Sequence, residues 1–219
     1  MPRGCYPGSF NPLTVAHLAV AEAAVAAHGL DRVDLVVSRV ALVKGAVERP
    51  RLEDRVHVLE RAASSRPWLG VAVRDEQLIV DLARGYDVVV MGADKWAQVE
   101  DPVFYGGSAT ARDTAVAALP RVAVVDRPPL LAPPELRLDV HPDHHPVSSS
   151  DVRAGRHEWM APEAASFDAE KHKDYHEVSD EVERLDFAHM EACVRASQTA
   201  VSLVARGELR PAWTPGKEP

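Results

Sequence analysis

Aromatic residues make up 5% of the 219 positions, so the core must be built mainly from Val, Leu and Ala. Cysteine is nearly absent. Cys5 and Cys193 are too few for a disulfide framework and read as reduced thiols. No apolar run is long enough to span a bilayer, and no charged-then-apolar leader precedes the first hydrophobic segment, so the expected location is cytoplasmic. Bases are outnumbered, with 25 Lys and Arg against 33 Asp and Glu. The net charge of −8 argues against a broad nucleic-acid or anionic-membrane surface, while allowing a small basic pocket for phosphates. What is present suits a globular chain. A 46% hydrophobic and 26% charged composition over this length fits one domain with an appendage, or at most two small domains. There is no internal repeat and no low-complexity block.

Along the chain the hydrophobic pattern alternates in type. Residues 1–6 read as a strand or turn, and 18–28 as an alanine-rich helix. Residues 33–38 are rich in β-branched side chains and predict a buried strand. Over 52–65, Val56, Leu59, Ala62 and Ala63 share one stripe opposite charges, which predicts an amphipathic helix. A strand at 69–73, a short helix at 76–84 closed by Gly85 and an apolar strand at 86–91 follow. A helix at 109–118 and a strand at 122–125 come next. Regular structure breaks at Arg127-Pro128-Pro129 and again at Pro133-Pro134, and the last strand is expected at 136–140. Uniformly apolar strands alternating with helices predict an α/β fold, a Rossmann-like parallel sheet with helices on both faces. The texture changes from Arg156. Residues 171–183 are densely charged, 181–206 carry the pattern of a long helix, and 207–219 read as a frayed tail. The expected organisation is a Rossmann-like domain over 1–165 and a C-terminal helical extension and tail over 166–219.

Chemistry concentrates in Gly8-Ser9-Phe10-Asn11-Pro12-Leu13-Thr14-Val15-Ala16-His17. A small-residue turn that opens into a helix presents backbone N–H groups, and the helix dipole adds partial positive charge, which makes a seat for phosphate. This stretch resembles the Gly-x-Phe-x-Pro-x-(His/Thr)-x-Gly-His signature of the nucleotidyltransferase superfamily, whose members join a nucleoside triphosphate to a phosphorylated acceptor. Downstream, Val147-Ser148-Ser149-Ser150-Asp151-Val152-Arg153 resembles the family's Ile-Ser-Ser-Thr-x-Ile-Arg. The resemblance implies that Gly8, Ser9, Phe10 and His17 bind nucleotide together with Ser148, Ser149, Ser150 and Arg153. It gives His17 the α-phosphate and the transition state, and directs Arg153 at the β- and γ-phosphates. Taken alone, His17 would be an ordinary helix histidine, and the serines an N-cap with Asp151 in the first turn.

Thr14 stands where many members have His, and its hydroxyl is suited to hydrogen-bonding a phosphate. Ala16 replaces the usual Gly and is expected to narrow the approach. Lys44, followed by Arg51-Leu52-Glu53-Asp54-Arg55-Val56, resembles the family's acceptor-phosphate Lys and its (Asp/Glu)-Arg helix, which implies acceptor binding by Lys44 and Arg55. The bland readings are a solvated loop lysine and a helix salt bridge. Gly92-Ala93-Asp94-Lys95-Trp96 resembles the Gly-x-Asp loop of nicotinate- and nicotinamide-mononucleotide adenylyltransferases, which implies nucleotide contact by Gly92 and Asp94. Trp96 could stack on a ring or be buried between helices, and Tyr105 is a weaker candidate of the same kind. Residues 156–164 resemble the same pyridine-nucleotide branch, whereas the opening loop leans towards the pantetheine-phosphate branch.

Such a transfer needs in-line positioning and charge neutralisation, with Mg²⁺ carried on the triphosphate and no protein metal site. His141, His144 and His145, and separately His172 and His176, lack a further ligand at metal spacing and read as solvated. The expectation is therefore an adenylyltransferase acting on ATP and nicotinate or nicotinamide mononucleotide, without nucleic-acid or membrane partners. Its rivals are adenylyl or cytidylyl transfer, the latter from CTP, to phosphopantetheine or a phosphonate metabolite, and a nucleotide-binding regulator without turnover. The segment 171–206 is expected to serve as a homo-oligomer contact or an active-site cover.

Overall fold

In chain order the elements are β1 (Arg3–Pro7), α1 (Val15–His28), β2 (Arg32–Ser38), α2 (Leu52–Ser64), β3 (Leu69–Arg74) and α3 (Ile79–Leu82). Then come β4 (Val88–Gly92), α4 (Ala93–Glu100), α5 (Ala109–Ala117), β5 (Arg121–Val125), α6 (Ser149–Arg153) and α7 (Pro162–Lys173). The coordinates are a computed structural model that describes residues 1–39 and 50–173, with backbone alone for 168–173. Lys44, His176, Cys193 and the segments expected at 181–206 and 207–219 lie outside the described residues.

The five strands form one sheet in the order β3-β2-β1-β4-β5, and every neighbouring pair is parallel. The chain builds outward from β1 to β3, then returns to the other side of β1 for β4 and β5. That reversal opens a crevice at the carboxyl ends of β1 and β4, the place where open α/β sheets bind ligands. Period-two alternation along β2 sends Val33, Leu35 and Val37 to one face, where Val20, Ala24, Leu59 and Ala62 of α1 and α2 cover them. Val36 packs on the other face with Cys5, Val89 and Met91, beneath Leu82 of α3 and Trp96 and Val99 of α4. Both faces are dry, which is why these strands read as continuous apolar runs.

Asp34 is the exception inside β2. It is 1% exposed and receives hydrogen bonds from Arg32 Nε (2.5 Å), Arg3 Nη2 and Tyr86 Oη (3.0 Å). Burial by itself would raise its pKa. The three donors outweigh that and hold the carboxyl below its ordinary value.

Several boundaries differ from the sequence expectation. The strand expected at 136–140 does not form. Consecutive prolines lead into a 3₁₀ turn at Pro134–Leu136, and the chain touches β5 through one bridge, Val124 to Arg137, with Leu138 N donating to Val124 O at 2.8 Å. The Arg137 side chain turns back to Ala132 O and Asp126. The helix expected at 76–84 shrinks to Ile79–Leu82, because Leu78 at its start is extended and offers no side-chain cap. On α2 the buried stripe keeps Leu59 and Ala62 of the expected set and has Arg55 and Val58 in place of Val56 and Ala63. The stretch 92–94 is not a loop, since α4 begins at Ala93 directly from β4.

Replacing Asp34 by Asn should destabilise the fold by about 2–3 kcal/mol, below the roughly 3–5 expected for a fully buried pair, because both guanidinium partners are half exposed. The native carboxylate contributes stability above its unfolded pKa near 3.8 and loses it as pH falls through its lower folded value. Urea titrations of both proteins at pH 7 and pH 3 measure this, and the gap between them should shrink at the lower pH.

Candidate active site

A cavity of about 420 Å³ lies at the reversal point of the sheet. Tyr6, Pro7 and Gly8 at the end of β1 and Gly92 at the end of β4 form its floor, and Ser9, Phe10 and His17 one wall. Asp94, Lys95, Arg127, the Pro128–Leu130 turn, His145, Pro146, Ser148, Ser149 and Asp151 complete it. The two motifs and the Gly92-x-Asp94 stretch therefore share one space.

The opening loop is held from outside. Ser9 O accepts from Arg55 Nη1 of α2 at 2.9 Å, and Asn11 O accepts from Arg153 Nη1 of α6. Pro12 O accepts from Ser149 Oγ at 2.8 Å, and Leu13 O from the Ala161 amide at 3.0 Å. Gly8 N–H donates to Val36 O of β2 at 3.0 Å. With its carbonyls turned into the protein, the loop leaves the Ser9 and Phe10 amides without hydrogen-bond partners among the described residues, beside the cavity. Phe10 adopts a left-handed backbone (φ 45°), uncommon for a non-glycine residue and a mark of functional loops. Its ring lies so close to Gly8 that a Cβ there would fall 2.8 Å from Cζ. A side chain is excluded at Gly92 too, where a Cβ would lie 2.5 Å from Asp94 Oδ1 and 2.9 Å from Arg127 Cγ.

Thr14 and His17 form a reciprocal cap at the start of α1. The Thr14 amide donates to His17 Nδ1 at 3.0 Å, and Thr14 Oγ1 lies 2.8 Å from the same nitrogen. An Nδ1 that accepts from a backbone N–H carries no proton, so the neutral ring holds its hydrogen on Nε2. An edge-to-face contact with Phe10 (5.1 Å between centroids) and a tilted one with Tyr6 (6.1 Å) hold the ring. Burial first, and then the positive charge of Arg127, lower the His17 pKa to about 3. His17 is a neutral hydrogen-bond donor at physiological pH, not a cation.

The remaining expected residues divide. Gly8, Ser9, Phe10, His17, Gly92, Asp94, Ser148 and Ser149 line the cavity. Thr14 does not. It is fully buried, and its hydroxyl meets the imidazole rather than open space. Ala16 is fully buried as well, so its methyl group packs inside and does not narrow the cavity. Ser150 and Arg153 lie outside the lining, where Arg153 bonds Asn11 O, Ser149 O and Ser150 Oγ. Arg55 braces Ser9 from within the core, with its Nε buried and unpaired. Trp96 is in the core and outside this lining, because α4 starts one turn earlier and aims that position at the sheet. Tyr105 is likewise outside the lining. Arg127 and His145 were missed by the sequence reading. Arg127 read as a strand break, and its proximity to Gly92, 35 positions earlier, has no signal in sequence.

A second cleft of about 490 Å³ lies between α2 and the end of β3, where Glu53, Asp54 and Glu60 face Arg39 and His57. That balance disfavours phosphate. Among the described residues no group of three His, Cys, Asp or Glu could hold a metal. No helix among them is long and apolar enough to cross a membrane.

The unfolded chain takes a proton at a histidine near pH 6.5, whereas folded His17 refuses one until about pH 3. Stability is therefore unaffected by this group above pH 6.5 and falls progressively as pH drops through that window. NMR titration should find the His17 ring neutral, with the Nε2–H tautomer, at pH 5. Thr14→Val, which removes the cap hydroxyl, should cost about 1 kcal/mol of stability while the Thr14 amide keeps the Nε2–H tautomer in place, and Thr14→Ser should keep both.

The family model described as cytidylyltransferase-like matches residues 5–155, a span that contains every residue lining the cavity. Two curated relatives are phosphopantetheine adenylyltransferases from two strains of Cereibacter sphaeroides. Each is 35% identical over 105 residues, covering 46% of this chain and 62% of the relative's length. With the family model spanning more than half of the sequence, the chain belongs to the cytidylyltransferase-like family and so to the nucleotidyltransferase superfamily.

Proposed function

We propose that this protein transfers a nucleotidyl group from a nucleoside triphosphate to a small phosphorylated acceptor and releases pyrophosphate. The observation that carries the reading is the shared cavity, in which the His17 ring, the open amides of Ser9 and Phe10 and the start of the serine helix surround one space at the sheet's reversal point. In the reaction an acceptor phosphate oxygen attacks the α-phosphorus. The bond from that phosphorus to the bridging oxygen breaks, and pyrophosphate leaves with the electron pair. His17 donates Nε2–H to a non-bridging α-phosphate oxygen as negative charge builds there, and being neutral it needs no proton transfer. Mg²⁺ enters on the triphosphate. Asp94 and Asp151, the carboxylates in the lining, are oxygen donors of the class this ion takes.

For the triphosphate and acceptor we favour ATP and nicotinate or nicotinamide mononucleotide, which would place the protein in NAD biosynthesis. The support is Gly92-x-Asp94, whose Asp94 lines the cavity. Trp96 lends that choice nothing, being in the core. Phosphopantetheine is the second reading, favoured by the two relatives being phosphopantetheine adenylyltransferases. Lys44 remains the proposed acceptor-phosphate ligand on the resemblance alone.

Pyrophosphate release from purified full-length protein, with ATP or CTP, Mg²⁺ and each of these three acceptors, tests the reading. One pairing should stand at least an order of magnitude above the others in kcat/KM. His17→Ala should lower turnover on that pairing by roughly 10²–10³ with little change in nucleotide affinity. Nucleotide binding with no pyrophosphate from any pairing would point to a regulator instead.

A further inference from the structure

The guanidinium groups assigned to phosphate by resemblance do not reach the cavity. Arg153 is bonded to Asn11 O, Ser149 O and Ser150 Oγ, and Arg55 to Ser9 O. Among the residues that do line it, the permanent cations are Lys95 and Arg127, and Lys95 Nζ already meets Gln98 Oε1 at 3.0 Å. Arg127 stands two residues past β5, half-buried, with its side chain lying across Gly92. Its Nη1 donates to His145 O (3.4 Å) and to Val147 O, the carbonyls that lead into the serine helix. Arg127, Tyr6 and His17 line the same cavity. After burial, the positive charge of Arg127 is the next influence on both other groups and acts to lower each pKa, with a side-chain hydrogen bond to Tyr6 contributing as well.

We infer that Arg127 is the cation that meets the phosphate chain beside His17, and that the same side chain latches the serine loop to the end of β5. The inference rests on the triphosphate reading of this cavity. It follows from the donor count. A guanidinium carries five N–H groups in a planar fork, and the two carbonyl contacts are both made by Nη1. One residue therefore has donors enough to orient protein carbonyls and phosphate oxygens together. The latch gives the cation a second consequence, since Ser148 and Ser149 reach the cavity from a helix of five residues whose approach is set by the chain at 145–147. Arg153, on the far side of that helix, becomes a positioning residue for the Asn11 carbonyl.

Calorimetric titration of the full-length protein with inorganic pyrophosphate, paired with amide hydrogen exchange at Val147–Ser149, tests both halves. Arg127→Gln should weaken pyrophosphate binding about tenfold or more, the range for loss of a charged hydrogen bond, and should speed exchange at those amides. Arg127→Lys keeps the charge but not the fork. It should retain affinity within about threefold while exchange still quickens. Wild-type affinity in Arg127→Gln overturns the phosphate role, and wild-type exchange in both variants overturns the latch. If the glutamine variant does not fold, wild-type pyrophosphate affinity in Arg127→Met, which keeps the apolar stem and drops the charge, overturns the phosphate role, and unchanged exchange in Arg127→Lys overturns the latch. Wild-type protein that binds pyrophosphate through Arg127 but forms none from any pairing sinks the transfer reading and leaves this assignment standing. Turnover in the wild type together with unaltered binding in Arg127→Gln does the reverse.

Discussion

Four carbonyl oxygens of the opening loop, on Ser9, Asn11, Pro12 and Leu13, are each bonded by a group distant in sequence. The donors come from α2, from α6 and from the segment that precedes α7. A loop fixed by its acceptors leaves the Ser9 and Phe10 amides without hydrogen-bond partners among the described residues, at positions that line the cavity. The loop is thus held in one conformation by groups outside it. The same arrangement explains why Phe10 tolerates a left-handed backbone. The surrounding hydrogen bonds over-determine a conformation that the residue alone would avoid.

The electrostatic layout follows from that frame. A protein with net charge −8 has no general attraction for polyphosphate, so the attraction must be local. The guanidinium groups of Arg55 on α2 and Arg153 on α6 bond loop carbonyls and stay out of the lining, whose permanent cations are Arg127 and Lys95 alongside the carboxylates Asp94 and Asp151. Beside Arg127 the buried His17 ring stays neutral. A protonated ring there would add a second like charge and would need to donate from Nδ1, the nitrogen that already accepts from the Thr14 amide. The cap of α1 and the state of its histidine are therefore one feature. The amide of Thr14 selects the tautomer that carries its hydrogen on Nε2.

The Rossmann-like sheet was largely legible in the sequence, because dry strands leave uninterrupted apolar runs. The runs at 33–38 and 69–73 correspond to β2 and β3, and 122–125 to β5. Where the pattern misled, the cause was local and specific. Leu136–Val140 has the composition of a strand, but the prolines ahead of it supply no N–H and leave the chain beside β5 for one residue pair only. Arg55 sits on the buried stripe of α2 because its guanidinium reaches Ser9 O, a reason invisible to a hydrophobicity pattern. Trp96 was ambiguous between stacking and burial, and the start of α4 at Ala93 decided for burial.

By itself the sequence determined the kinds of groups available and their local backbone setting. A small-residue turn ahead of a helix, a threonine three residues before a histidine and three serines opening another helix each rest on neighbours within a turn or two. The partners of those groups were settled by the tertiary structure alone. Arg153 and Ser149 brace the opening loop across more than 130 positions, and Arg127 enters the cavity through contacts with Gly92 and the 145–147 carbonyls. Hydrogen-bond donors of one type are interchangeable in a sequence. Only the packing of the tertiary structure fixed which guanidinium lines the cavity and which braces the opening loop from outside it.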